Sequence, residues 1–188
     1  PLPTRPDGLV DAVRGLPALG FAGANVTTPH KLAAAALCET GAPSVNTLVV
    51  RDGSIEGRTT DAAILAGLPA ERPVVIGDGG SARAFLEALP SARQFARRGD
   101  WPPDAEGADL VVNATPVRDD VLVRLRPGQV LVDLPYPETA TAKAARAAGA
   151  HVVGGLEVLV AQGAASFELW TGIPAPVEAM RRALGLPA

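Results

Sequence analysis

A glycine-rich stretch, Gly77-Asp78-Gly79-Gly80-Ser81-Ala82-Arg83, follows a short apolar run. The apolar run at 73–77 predicts a buried strand, and the segment at 81–89 predicts a helix. Glycines at such a turn let the backbone approach a pyrophosphate, and the helix N-terminus offers N–H groups and partial positive charge. We therefore predict a dinucleotide-binding loop whose contacts are Gly77, Gly79, Gly80, Ser81 and Ala82. A strand-to-helix turn without a ligand is the alternative. The Asp78 carboxylate favours that alternative unless it points outward, because it would repel phosphate.

Two arginines lie where the type of dinucleotide is usually decided. In NAD-binding loops an acidic residue about 20 positions after the first glycine holds the ribose hydroxyls. Here Arg97 and then Arg98 occupy that place. A guanidinium group pairs with a 2′-phosphate and stacks on adenine, so the pattern favours NADP. Asp100 keeps NAD possible, and a solvated surface pair is the alternative interpretation of the two arginines.

A second group of polar residues lies upstream, in the stretch Asn25-Val26-Thr27-Thr28-Pro29-His30-Lys31. Lys31 falls in the first turn of a predicted helix, where a positive charge opposes the helix dipole, and this indicates a role beyond solubility. Thr60-Asp61 ends another polar stretch at a predicted helix start, where an ordinary helix cap is the alternative interpretation. His30 and His151 lack the spacing of a metal site, so no metal is predicted.

The elements that must position these residues alternate in the second part of the chain. Apolar runs predict strands at 73–77, 94–97, 109–113, 129–133 and 151–153, and helices at 81–89 and 139–148. Continuous apolar strands separated by helices are typical of a parallel sheet covered on both faces, and right-handed crossovers give it a Rossmann-like arrangement. The connection at 98–108 is barely long enough for a crossover, and Pro102-Pro103 disfavours a helix there.

The first part of the chain has a different pattern. We predict helices at 7–16 and 30–38, a strand at 24–27, and a hairpin of strands 46–50 and 54–57 whose turn contains Asp52-Gly53. The fold class is therefore α/β: a Rossmann-like parallel-sheet domain plus a smaller α/β segment. The boundaries we expect are 1–65 for the first segment, 66–155 for the domain that binds NADP, and 156–188 for the C-terminal helices.

Composition excludes several other classes of protein. The 188 residues carry a net charge of −3 without a basic block, which argues against binding to nucleic acid or anionic membranes. No apolar run approaches the roughly 20 residues needed to span a bilayer, and no signal peptide is visible. A single cysteine, Cys38, suits a reducing compartment, so a cytoplasmic location is expected.

These motifs, taken in order, resemble those of the shikimate dehydrogenase family over essentially the whole chain. Asn25-Val26-Thr27 with Pro29 and Lys31 is similar to that family's Asn-Val-Thr-x-Pro-x-Lys motif. Ser44-Val45-Asn46-Thr47 resembles its Ala-Val-Asn-Thr segment, and 57–61 resembles its Gly-x-Asn-Thr-Asp. The glycine loop, the stretch 112–116 and the long C-terminal run at 155–172 continue the resemblance.

The resemblance implies that 1–65 is a reduced α/β substrate-binding segment and that the C-terminal helices at 156–188 return to the cleft. It also implies a role for each matching residue. Lys31 and Asp61 match the pair that transfers the proton of the hydroxyl being oxidised, and the two are expected to titrate as a coupled unit. The residues that match substrate-binding positions are Asn25, Thr27, Asn46, Tyr136 and Gln162. Asn113, Thr115 and Gly155 match further cofactor-binding positions. The implied activity is reversible NADP-dependent oxidation of shikimate, or of a close analogue such as quinate or an amino derivative.

Departures from the family pattern leave other functions open. The chain starts at Pro1, downstream of the family's paired serines that bind the substrate carboxylate; Thr59 replaces an asparagine and Val158 a methionine. Several loops are also shorter than usual. A non-catalytic relative that binds a ligand or partner is the main alternative. A fragment of an ordinary enzyme and an enzyme acting on an unrelated alcohol are the others.

Overall fold

The computed structural model describes residues 1–187 and divides the chain into two compact units. The first unit comprises residues 1–60 and 163–175, and the second comprises residues 61–162 together with the chain from 176 onward. The helix α5 (Gly155–Thr171) therefore contributes its first half to the second unit and its second half to the first.

The first unit is built on a three-stranded antiparallel sheet. Its strands are β1 (Gly23–Asn25), β2 (Thr47–Arg51) and β3 (Ser54–Arg58), with β2 in the centre. A 3₁₀ turn at Pro6–Gly8 leads into helix α1 (Leu9–Gly15), and a short helix α2 (Lys31–Ala35) follows β1. The residues buried in its apolar core are Leu9, Val13, Leu16, Ala34, Val45 and Leu48.

The helix predicted at 30–38 is shorter in the structure. The N–H groups of Ala36 and Leu37 donate to the carbonyls three residues back, on Ala33 and Ala34, so the chain tightens into 3₁₀ turns. The Cys38 thiol also donates to the Ala34 carbonyl at 3.1 Å. An alanine-rich sequence has no side chain that marks this change, which is why the pattern overestimated the helix.

The second unit contains a five-stranded sheet in which every pair of neighbours is parallel. Its strands are β4 (Pro73–Ile76), β5 (Arg93–Phe95), β6 (Leu110–Asn113), β7 (Val130–Asp133) and β8 (His151–Val153), in the order β5-β4-β6-β7-β8. Helix α3 (Gly80–Ala88) follows β4, α4 (Ala140–Ala147) follows β7, and α5 follows β8. The predicted α/β class with a Rossmann-like parallel sheet is therefore confirmed.

Alternate residues of the apolar strands face two separate cores. Val74, Ile76, Val111, Leu131 and Val152 face one core, and the intervening residues face the other. The first core is completed by α4 and by the helix-free segments around Ala105 and Val123. The second is completed by α3, α5 and the 3₁₀ helix Asp61–Leu65. Burial on both faces explains why the strands are uniformly apolar.

Two connections of this sheet have no helix. Residues 96–109 contain neither helix nor strand, as predicted from Pro102-Pro103, and residues 114–129 are likewise irregular. The buried Gln129 side chain joins them: its amide nitrogen donates to the carbonyls of Ala105 and Ala108 at 2.9 and 2.7 Å, and its oxygen accepts from Arg126 N. One side chain thereby satisfies backbone groups that a helix would have satisfied internally.

Candidate functional site

The second unit has a topological switch point between β4 and β6. These strands are neighbours, but the chain leaves β4 toward β5 on one side and leaves β6 toward β7 on the other. Open parallel sheets bind ligands in the crevice outside the carboxyl ends of such strands. Gly77, directly after β4, has φ +129°, and a Cβ there would lie 3.0 Å from the Ala114 oxygen after β6. Glycine is therefore required where the two strand ends meet.

The glycine loop has the form that a pyrophosphate requires. Gly79 is the N-cap residue of α3 with no side-chain cap, and a Cβ added there would meet no atom within 4 Å. Packing thus does not demand a glycine at 79, whereas close approach of a ligand to the backbone would. The first turn of α3 presents N–H groups to the same space. Asp78 is exposed, while Ala82 is fully buried in the core below the loop. The loop therefore fits a dinucleotide.

A chain of buried polar side chains runs along the carboxyl edge of the sheet beside this loop. Asn113 donates its amide N–H to Asp133 Oδ1 at 2.7 Å, and Thr139 donates its hydroxyl to Asp133 Oδ2 at 2.8 Å. The Asn113 oxygen accepts from both the N–H and the hydroxyl of Thr115, at 3.2 and 2.8 Å. Burial raises the pKa of the Asp133 carboxyl, and the two donated hydrogen bonds oppose this increase.

The predicted arginine pair lies at the tip of a tight turn after β5. Ala96 donates its N–H to the Asp100 carbonyl at 3.1 Å, which places the exposed residues Arg97 and Arg98 at the end of the turn. The Arg97 guanidinium lies over the Trp101 ring, 5.6 Å from its centroid. A neighbouring side chain, Gln94, donates to the Gly77 carbonyl at 2.8 Å and so links this strand to the glycine loop.

Three other predicted residues belong to the second unit. Gly155 begins α5, where a Cβ would overlap the carbonyl oxygens of Leu134 and Pro135, so close backbone packing alone requires glycine. Tyr136 follows β7 and is 54% exposed, which leaves its ring accessible to a ligand. Gln162 lies on α5 and donates to the Leu159 carbonyl at 3.2 Å.

The first unit contains a cluster of buried hydroxyl and amide groups around Asn46. Its oxygen accepts from Thr60 N at 2.7 Å, and its nitrogen donates to Thr60 Oγ1 at 2.9 Å. The hydroxyl oxygens of Thr47 and Ser166 lie 2.8 Å apart, and the side-chain nitrogen of Asn25 donates to both hydroxyls. Thr47, Thr60 and Ser166 were not predicted as functional residues. Ser166 is a polar residue on a buried stretch of helix, which is the one signal that could have indicated it.

Lys31 begins helix α2, and its carbonyl accepts from Val45 N at 3.0 Å, so the helix start is joined to the segment that carries Asn46. Thr27 is exposed and closes the turn before α2 by accepting from His30 N. The His30 ring contacts the Thr4 carbonyl at 2.9 Å. The half-buried Lys31 and the exposed Thr27 therefore both belong to the segment that follows β1.

Asp61 is 7% exposed and opens the 3₁₀ helix of the second unit. It directly follows Thr60, the residue whose backbone Asn46 holds. Among the described residues, no three histidine, cysteine or acidic side chains are grouped so as to hold a metal ion. No described helix combines the length and apolar character needed to cross a membrane.

A parallel sheet with a glycine loop at its switch point defines the class of dinucleotide-binding α/β proteins. Residues 155–184 match the sequence profile of the Shikimate 5′-dehydrogenase C-terminal domain. The shikimate dehydrogenase (NADP⁺) of Anaeromyxobacter sp. strain Fw109-5 is 39% identical over 99% of this chain and 84% of that protein. The shikimate dehydrogenase of Moorella thermoacetica is 36% identical over 96% and 80%. The chain belongs to the shikimate dehydrogenase family.

Solved structures agree with this assignment. Shikimate 5-dehydrogenase of Thermus thermophilus, in complex with NADP(H) and shikimate, is 28% identical with a TM-score of 0.81, covering 96% of this chain and 84% of that one. The 5-ketofructose reductase of a Gluconobacter species is 26% identical with the same TM-score, covering 98% and 85%. The alignment with the Anaeromyxobacter protein spans 235 positions, 47 more than the 188 residues here, so that relative has internal segments that this chain lacks.

Proposed function

We propose that this protein catalyses the reversible NADP-dependent oxidation of shikimate to 3-dehydroshikimate. The observation that carries the proposal is the glycine loop at the switch point, where Gly77 fits against Ala114 and the space above Gly79 is open. The relatives named as NADP⁺-dependent shikimate dehydrogenases support the choice of substrate and cofactor. A cytoplasmic location belongs to the same proposal.

Different residues of the chain are proposed to bind different parts of the cofactor. The glycine loop and the first turn of α3 bind the pyrophosphate, and Arg97 with Arg98 binds the 2′-phosphate through charge-assisted hydrogen bonds. When bound, NADP⁺ supplies the hydride acceptor. Asn113, Thr115 and Gly155 shape the other end of the cofactor site. Gly155 contributes by packing, since its lack of a side chain lets α5 start against the backbone at 134–135.

The residues proposed to bind the substrate are those that match the family's substrate-binding positions. Asn25, Thr27, Asn46 and Gln162 bind the ring hydroxyls, and Tyr136 binds near the carboxylate. As the carbon loses hydride, the Lys31 amine takes the hydroxyl proton, and it returns the proton in the reverse direction. The Asp61 carboxylate is the other member of the proposed proton-transfer pair. The buried Asn46 holds the backbone of Thr60 and thereby orients the residue that follows it.

The test is absorbance at 340 nm. Shikimate, quinate and amino-shikimate are each offered with NADP⁺ and then with NAD⁺, and 5-ketofructose, a substrate for reduction, is offered with NADPH. Lys31→Ala is the test variant. Lys143→Ala is the matched control, because Lys143 is the other lysine of the chain and lies exposed on α4. We expect shikimate oxidation with NADP⁺, a loss of about 10²–10⁴ in kcat for Lys31→Ala, and no change for Lys143→Ala. Absence of turnover together with absence of NADP⁺ binding would leave a non-catalytic relative.

A further inference from the structure

Asp133 lies at the carboxyl end of β7 and is 1% exposed. The strand register pairs it with Asn113 at the carboxyl end of β6, so the two side chains meet across neighbouring parallel strands. Both Asp133 oxygens accept hydrogen bonds, one from Asn113 and one from Thr139. Such deep burial keeps Asp133 itself from touching a cofactor, so any effect on the site must pass through these partners.

The chemistry of the pair permits one orientation of the Asn113 carboxamide. An ionised carboxylate only accepts hydrogen bonds, so the nitrogen of Asn113 must face Asp133 and its oxygen must face away. In that orientation the oxygen accepts the N–H and the hydroxyl of Thr115. The reversed carboxamide would place oxygen against carboxylate and nitrogen against the Thr115 N–H. Asp133 would then keep only the hydrogen bond from Thr139, and the Thr115 N–H would lose its acceptor.

The orientation of Asn113 in turn determines the turn at 113–117. With its hydroxyl proton donated to Asn113, Thr115 accepts from Val117 N at 3.3 Å through the same oxygen. Ala114, between them, donates its N–H to the Ile76 carbonyl at 2.9 Å, and its own carbonyl lies against Gly77. The turn thus forms one wall of the crevice at the switch point.

We propose that Asp133 is a positioning residue for the cofactor site: it holds the Asn113 carboxamide in the orientation that fixes Thr115 and the 113–117 turn beside the glycine loop. The cofactor role of this turn rests on the proposed function. Thr139 serves as the internal comparison, because it contacts the same carboxylate but caps α4 by accepting from Ala142 N at 3.0 Å.

The experiment compares Asp133→Ala with Thr139→Ala at pH 8, measuring amide hydrogen exchange without cofactor, thermal stability, and the Kd for NADPH by fluorescence. In Asp133→Ala we expect faster exchange at Thr115 and Val117 and a Kd raised about tenfold, which corresponds to ~1.4 kcal/mol. In Thr139→Ala we expect lower stability from the lost cap, with exchange at Thr115 and the Kd unchanged. Equal effects of the two variants on the Kd would overturn the proposal, since Asp133 would then matter only for stability.

Thr115→Val keeps the test decisive if Asp133→Ala does not fold. It removes the hydroxyl that Asn113 orients, at a position that is half-buried. We expect faster exchange at Val117 and weaker NADPH binding at nearly unchanged thermal stability. An unchanged Kd for Thr115→Val would mean that the turn has no part in cofactor binding. If the wild type itself does not bind NADPH, the proposed function fails, whereas exchange at Thr115 still decides whether Asp133 positions the turn.

Discussion

The indole N–H of Trp170 donates to the main-chain oxygen of Leu48 at 2.8 Å, and this contact leaves room for no side chain at Gly23. A Cβ at Gly23 would overlap both the Trp170 nitrogen and the Leu48 oxygen. The second half of α5 is thereby packed against β1, the strand that ends at Asn25. A tryptophan from the end of the chain thus requires a glycine near its beginning.

Gly23→Ala is therefore expected to destabilise the protein by about 3 kcal/mol, because neither the ring nor the backbone oxygen can give way cheaply. Gly41→Ala is the control: its added Cβ meets nothing within 4 Å. Urea unfolding followed by tryptophan fluorescence measures both. Similar midpoints for the two variants would show that the ring shifts to make room.

A buried hydroxyl without a partner offers a stabilising substitution. Ser44 is 1% exposed, and among the described residues its Oγ has no hydrogen-bond partner. Removing an unsatisfied buried hydroxyl recovers its desolvation cost, so Ser44→Ala is expected to raise the free energy of unfolding by about 1 kcal/mol. Ser166→Ala, which removes a buried hydroxyl that accepts from Asn25, should lower it instead. A decrease for Ser44→Ala in the same denaturation assay would contradict this reasoning.

The strands of the parallel sheet could be predicted because each is a continuous apolar run, and burial on both faces demands that composition. The glycine loop was predictable because the structure restricts the residue type there as well: a side chain at position 77 would meet the Ala114 carbonyl. The cluster around Asn46 was not predictable beyond Asn25 and Asn46 themselves. Its other members come together only in the folded chain, since Thr47 contacts Thr60 across 13 residues and Ser166 across 119. Gln129 was missed likewise, because a glutamine that satisfies distant carbonyls has no local pattern.

The Asp109 carboxylate makes the stability of the second unit dependent on pH. Burial, the largest single influence, raises its pKa, but backbone N–H groups led by Arg72 and Glu71 together lower it below its ordinary value of 3.8. A lowered pKa in the folded state gives stability that is present above that value and lost as the pH falls through the folded pKa. The difference in unfolding free energy between wild type and Asp109→Asn should therefore shrink from pH 7 to pH 3. A constant difference across that range would exclude the carboxylate charge as the cause. Asp119→Asn, at an exposed site, should be neutral at pH 7.

The contact between Arg97 and Trp101 predicts how cofactor preference can be changed. Arg97→Ala should raise the KM for NADP⁺ and leave the KM for NAD⁺ nearly unchanged, because only NADP⁺ carries the 2′-phosphate. Trp101→Ala removes the ring that lies against the Arg97 guanidinium. A cation–π contact at an exposed site is worth about 0.5–1 kcal/mol, so we expect a two- to fivefold rise in the KM for NADP⁺ alone. Trp101→Phe keeps an aromatic ring at this position and should bring the KM for NADP⁺ most of the way back to the wild-type value. Equal changes with both cofactors would indicate that the turn acts on folding instead.

The same substitution should have opposite effects at two positions of α5. Gly155 begins the helix against the carbonyl oxygens of Leu134 and Pro135, so Gly155→Ala should destabilise the protein by about 2–3 kcal/mol through steric overlap. Gly163 lies in the interior of the same helix, where an added Cβ meets nothing within 4 Å. Gly163→Ala should therefore stabilise it by about 1 kcal/mol, the usual difference in helix propensity. Thermal unfolding of the two single variants measures both effects. Destabilisation by Gly163→Ala would mean that the open space at this helix face is needed by the folded protein.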